Sequence, residues 1–265
     1  MNIASSKHML LVLAPDAIEA RLLEKRLARG RPRLLARHTV RLASADAFAQ
    51  GLSDACAAFA KEGARHTDVV LSDAFCRYFM LRRPVGTARR AELEAALAAR
   101  FRSLFGESPE AWSFVSEQHL WAGEELVCAL SSAFQSQVLA TLRRADLAVE
   151  SIRPYWVCCA ADRARERRRG RHWLLGGDGH ALTLGLFENG RCLGARSRRP
   201  LAASEDAGQW LVREAALFPP TASTPAAGDR IWTYGAVAGK LAGLRELLGE
   251  HLGLAQPSCF GEPAA

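Results

Sequence analysis

Asp68-Val-Val-Leu-Ser-Asp-Ala-Phe-Cys-Arg-Tyr-Phe-Met-Leu-Arg82 sets the frame for the chain. An apolar run of this length overfills one flat strand. With Ser72-Asp73 at its middle it reads as a strand, a tight bend and a return strand.

Upstream, Leu10-Leu-Val-Leu-Ala14 breaks at Pro15-Asp16 and resumes through Ile18 and Leu22-Leu23. After the turn signal Gly30-Arg-Pro32, Leu34 to Leu42 alternates apolar and basic residues, so two or three antiparallel strands are expected. A helix follows from about Ser44, with Phe48, Leu52, Cys56 and Phe59 on one face and Gly63 as its stop. Downstream, Thr87 to Leu104 reads as a helix burying Leu93, Leu97, Phe101 and Leu104, ended by Gly106. Strands at Ala111–Glu117 and Glu125–Ser131 come next, and Ser132-x-x-Gln135 reads as a capping box opening a helix through Leu142. A short strand at Val149–Ile152 and a helix from Pro154 close this half. Beyond the Arg-rich stretch 163–171 lie Trp173–Asp178 and a hairpin, Ala181–Phe187 and Arg191–Ser197, turning at Asn189-Gly190. A helix from Ser204 to about Phe218, a strand Arg230–Tyr234, a helix Gly239–Leu252 and a loose tail from Ala255 complete the expectation. Each half runs hairpin, helix, strand, helix, a strand-first duplication.

The 265 residues are 49% apolar and 24% charged, an ordinary globular composition. No run of about 18 apolar residues exists to span a bilayer. The apolar patch Met9–Ala14 is too short, and too soon followed by acid, for a secretory signal, so a soluble cytoplasmic protein is expected. Cysteines 56, 76, 128, 158, 159, 192 and 259 form no Cys-x-x-Cys pair and read as small reduced side chains, mostly in the core. Histidines 8, 38, 66, 119, 172, 180 and 251 show no metal-binding spacing, and nucleophile-elbow and P-loop motifs are absent. Tryptophans 112, 121, 156, 173, 210 and 232 are expected in the core or at a lobe interface.

The net charge of +7 is concentrated at Arg163, Arg165, Arg167, Arg168, Arg169 and Arg171. This run is either a solvated helix end or an electrostatic surface for an acidic partner or anionic lipid. No aromatic residue interleaves it, so it lacks a base-stacking platform, and nucleic-acid binding would rest on charge alone. Asp178-Gly-His180 is the one local group suggesting acid–base work, but it reads more simply as a turn, as does Asp73.

The ordered segments 68–82, 126–155, 173–198 and 231–252 resemble the pilus-assembly protein PilM and the cytoplasmic domain of the type II secretion protein GspL. The resemblance implies an α/β, actin-like (ASKHA-type) two-lobed fold with mixed sheets flanked by helices. It puts the first lobe at 1–165, with an inserted subdomain at about 66–120, and the second at 166–265. It also implies a cleft, which in PilM-type members holds ATP, built on Asp-x-Gly turns whose glycines admit phosphate to backbone N–H groups. Here the first such turn reads Ala14-Pro15-Asp16, with no glycine and one N–H fewer. Glu19 stands where PilM-type proteins carry a lysine. The second turn, Gly176-Gly177-Asp178-Gly179, has Asp and Gly exchanged, and the adenosine-side glycines are thinned to Gly235 and Gly239. A degenerate cleft without cofactor is expected, and with it a scaffold binding cytoplasmic tails of inner-membrane platform proteins, with an assembly ATPase as a further partner. The alternative is an active ATP/Mg-binding protein or ATPase of the PilM type.

Overall fold

The Pro15-Asp16 turn folds β1 (Ser5–Leu13) back on β2 (Ala17–Arg26), and β3 (Arg33–Arg41) extends the antiparallel meander. β1 is central: Met9, Leu10, Leu11 and Leu13 are all buried, so both of its faces are covered. β4 (His66–Leu71) runs parallel to β1, and β8 (Ala148–Pro154) parallel to β4, giving the order β3-β2-β1-β4-β8. The structure is a computed structural model and describes residues 5–26, 32–82, 90–116, 124–164, 169–198, 200, 207–218, 229–235 and 251–254.

The connection from β3 to the parallel strand β4 needs a crossover, and α1 (Phe48–Lys61) supplies it. Its stripe of Phe48, Leu52, Cys56 and Phe59 is buried, as the periodicity requires. Two further helices, α3 (Ser132–Arg144) and α4 (Tyr155–Asp162), flank β8 in sequence. Ser132 is already helical, and its hydroxyl pairs with that of Ser113 at 3.0 Å in place of the expected capping box.

A second meander, β9 (Arg171–Gly177), β10 (Leu182–Glu188) and β11 (Arg191–Arg198), is antiparallel. β12 (Arg230–Gly235) adds parallel to β9 and β13 (His251–Leu254) parallel to β12, so the order is β11-β10-β9-β12-β13. Both five-stranded sheets thus place three antiparallel strands first and two parallel strands after. α5 (Ala207–Ala215) brings Trp210, Leu211 and Ala215 onto Trp173, Leu184, Leu186 and Ile231. A third sheet, β5 (Cys76–Arg82), β7 (Glu124–Ser131) and β6 (Trp112–Ser116), packs under α2 (Arg90–Phe105). Its core is aromatic, with the Phe101 ring 5.2 Å from both Trp112 and Phe114.

The chain divides into two compact units. The first holds the residues up to Phe75 and Phe134–Asp162; the second holds Cys76–Ala133 and Arg163–Ala255. The lobes expected at 1–165 and 166–265 follow the repeat of strand order instead and stand as a proposal.

Three further expectations are corrected. The segment after the Ser72-Asp73 bend does not return along β4: a 3-10 turn at Asp73–Phe75 sends it into the third sheet, where β5 pairs with β7. Leu104 is 44% exposed, while Leu97 and Phe101 are buried and Leu93, Ala96 and Phe105 pack partly buried against the same cluster. The end of the expected helix Gly239–Leu252 is strand β13, parallel to β12; residues 236–250 lie outside the described ones, as do the start of the Ser204 helix and the tail from Ala255. Trp156, Trp173, Trp210 and Trp232 are buried as expected, and Trp121 lies outside the described residues.

Candidate functional site

The glycines of the second sheet come together at one strand end. Gly177 of β9 pairs with Gly235 of β12, and Gly176 with Tyr234, while Gly239 lies outside the described residues. Asp178 follows directly and is turned on its own loop. Its Oδ1 accepts the N–H groups of His180 and Ala181, both at 2.8 Å, which makes Asp178-Gly179-His180 a side-chain-closed turn. In the first unit, Asp16 sits exposed at the β1–β2 turn, where its carbonyl accepts the Leu42 N–H at 2.8 Å. Glu19, three residues on, is held by the guanidinium groups of Arg21 and Arg37 on the same sheet face. That acid is therefore neutralised locally, which its place in the sequence did not reveal. Asp73 is buried, and both its oxygens accept the Trp156 N–H, at 3.1 and 3.3 Å, at the start of α4.

The Arg-rich stretch is divided in its tasks. Arg163 donates to the Tyr234 hydroxyl at 2.9 Å. Arg171 lies 3.3 Å from the buried Asp229 and over the Trp173 ring at 5.7 Å. Arg169 is exposed, and Arg165, Arg167 and Arg168 lie outside the described residues.

The second unit carries a groove of about 900 Å3 between the two edge strands β5 and β11. Gly194 and Phe218 form part of its wall. A Cβ added at Gly194 would come within 2.8 Å of the Phe218 ring, so only glycine lets that ring close on the strand. Leu104 of α2, 44% exposed, and Leu217, 54% exposed, offer apolar surface at the rim. Arg82, Arg100 and Arg196, against the single acid Glu124 that pairs with Arg82 across the strands, leave the charged lining net positive. Such a surface, with two strand edges and a mixed apolar and cationic wall, can take up an extended segment. The sequence pointed to a scaffold that binds cytoplasmic tails without placing a surface for them. No local signal marks the groove, because Leu93, Leu97, Phe101, Leu104 and Phe105 fall on one helical stripe of α2 and read simply as its core face.

No protein-family model and no curated protein matches the sequence. Solved structures do match. A Bacteroides thetaiotaomicron protein of actin-like ATPase fold and unknown function superposes with TM-score 0.63 and 10% identity, covering 96% of this chain and 93% of its own. A chain of the PilM–PilN type IV pilus biogenesis complex gives TM-score 0.64 and 17% identity, with 97% and 90% coverage. The cytoplasmic domain of EpsL, an inner-membrane component of the type II secretion system of Vibrio cholerae, gives 0.56 and 13%, with 86% and 82% coverage. The fold implied by the sequence resemblance is thus the fold found: this chain has the actin-like α/β architecture, with mixed sheets flanked by helices, that PilM-type and GspL-type proteins share.

Proposed function

We propose that this chain is a cytoplasmic scaffold of a type IV pilus-like or type II secretion-like assembly platform, and that it holds the cytoplasmic tail of an inner-membrane partner in the β5–β11 groove. The groove is the observation that carries this reading: exposed Leu104 and Leu217 beside Arg82, Arg100 and Arg196 suit a tail of apolar residues interspersed with acidic ones. Support also comes from two proteins with the same fold, one from a type IV pilus biogenesis complex and one an inner-membrane component of the type II secretion system. Among the described residues, no helix is long and apolar enough to cross a membrane, so contact with the membrane is proposed to run through partners. An assembly ATPase is a second proposed partner.

Mg-ATP, which the fold family implies, does not fit the residues present. Pro15 removes a donor from the first turn, and Asp178 Oδ1 is already used by its own backbone. No catalytic step is therefore assigned. One observation favours the alternative of an ATP-binding protein, the side-by-side Gly177 and Gly235.

The test is co-purification of the full chain from detergent-solubilised inner membranes, with the captured protein identified by mass spectrometry. A membrane protein with a short cytoplasmic tail is expected, its capture reproduced by a synthetic peptide of that tail. Leu104→Glu with Leu217→Glu, both at exposed positions, is expected to abolish capture while leaving the unfolding midpoint within a few degrees. Capture unchanged in the double variant would remove the groove from the reading.

A further inference from the structure

The first unit carries a cluster that the sequence scatters across 143 positions, from His8 to Ser151. His8 of β1 is buried, and its Nε2 lies 2.8 Å from Asp68 Oδ2 on β4. A carboxylate only accepts, so Nε2 donates the proton of this contact, which leaves Nδ1 as the nitrogen a metal ion could take. Asp68 is held in turn by the Ser151 hydroxyl at 2.5 Å, with Arg153 4.0 Å away. His8 Nδ1 faces Glu150 Oε2 at 3.8 Å, too far for a hydrogen bond. The other oxygen of Glu150 faces His66 Nδ1 at 3.3 Å, and His66 is the register partner of His8 on β4.

We propose that His8, His66 and Glu150 form a binding site for a divalent transition-metal ion, zinc being the best match, with Asp68 orienting His8. Three independent features converge on it. Ligand atoms of His8, Asp68 and Glu150 all lie within 4.8 Å of one another, and His66 Nδ1 stands 3.3 Å from the second oxygen of Glu150, so the carboxylate lies between the two rings. The Asp68–His8 pair is the carboxylate–histidine arrangement that fixes the tautomer and orientation of a metal-binding ring. Glu150 is delivered by a β-bulge: Thr67 pairs with Val149 and Asp68 with Ser151, so Glu150 is the extra residue of β8. Bulges re-aim side chains in this way.

Imidazole and carboxylate donors suit zinc and its first-row neighbours better than calcium or magnesium, which prefer oxygen alone. The site is open to its ligand, because Glu150 and His66 are 45% and 54% exposed while His8 is anchored inside. It also lies at the starting ends of the parallel strands β1, β4 and β8, whereas the Pro15-Asp16 turn follows the far end of β1. The proposed ion would be distinct from any ion carried by a nucleotide. It would tie the three strands together where β8 departs from regular pairing.

The test uses the full chain without a histidine tag, stripped with chelator and titrated with zinc against a chromophoric competitor. About one equivalent of zinc is expected to bind and to raise the unfolding midpoint. Glu150→Gln and His66→Ala, at exposed positions that leave folding intact, are each expected to weaken binding tenfold or more. Asp68→Asn is expected to weaken it 10–100-fold through the orientation of His8. Absence of stoichiometric zinc binding by the wild-type chain would overturn the proposal, and so would equal affinity in Glu150→Gln and the wild type.

Discussion

Cys56 shows what one buried residue reports. It lies on the inner face of α1 with Leu52 and Phe59, and burial pushes its thiol from the usual 9.0 up to about 12. At about pH 8 the folded protein then carries on the order of one thiolate in ten thousand at this position, against about one in ten for an exposed thiol. Native-state alkylation at that pH is expected to leave Cys56 unmodified by mass spectrometry while unfolded protein is fully labelled. The sign for stability follows: a folded value above the unfolded one favours folding only while the thiol stays neutral. Its contribution is intact below about pH 9 and is lost as pH rises toward 12, at up to about 1.4 kcal/mol per pH unit. Urea unfolding of Cys56→Ala at rising pH should show a shallower alkaline loss than the wild type. The burial of Cys56 was legible from its spacing with Phe48, Leu52 and Phe59. The neighbourhood of His8, His66 and Glu150 was not, because parallel pairing and a bulge bring them together and neither leaves a local trace.

At the scale of elements, strong local chemistry is where sequence and structure agree. Asn189 and Gly190 adopt φ of 49° and 84°, the left-handed pair that closes a two-residue hairpin, and β10 and β11 pair on either side. Gly190→Ala is expected to cost about 1–2 kcal/mol by denaturant unfolding, because a Cβ is disfavoured there. The bend at Ser72-Asp73 was equally legible, but its destination was not. Polar residues signal that the chain turns, whereas the choice of β7 over β4 as partner for β5 is made by the aromatic cluster under α2. Asp73 adds a role no turn propensity suggests. Its carboxylate accepts the Trp156 N–H at the buried start of α4, where a helix leaves donors unsatisfied. Asp73→Ala is expected to destabilise the protein by about 1–3 kcal/mol, read as a shift of the urea midpoint, with Asp73→Asn recovering part of the loss.

At the scale of the molecule, two sheets of the same strand order carry loops that have diverged in chemistry. The duplication was visible because meander, helix and strand recur in each half; the chemistry of the loops decides between scaffold and nucleotide binder. Thermal unfolding with millimolar Mg-ATP separates the two. A ligand at about a hundred times its dissociation constant adds about 2.7 kcal/mol, which moves a midpoint by several degrees. No shift is expected, because the Pro15-Asp16 turn lacks glycine and Asp178 Oδ1 serves the N–H groups of His180 and Ala181. Asp178→Asn is the informative variant, since asparagine keeps the oxygen that closes the turn and removes only the charge. If the wild type shifts and Asp178→Asn does not, the aspartate is holding a metal-bound nucleotide and the scaffold reading of the loops fails. If neither shifts while the tail peptide still binds the groove, the Gly177–Gly235 pairing is a relic of geometry and partner capture is independent of nucleotide.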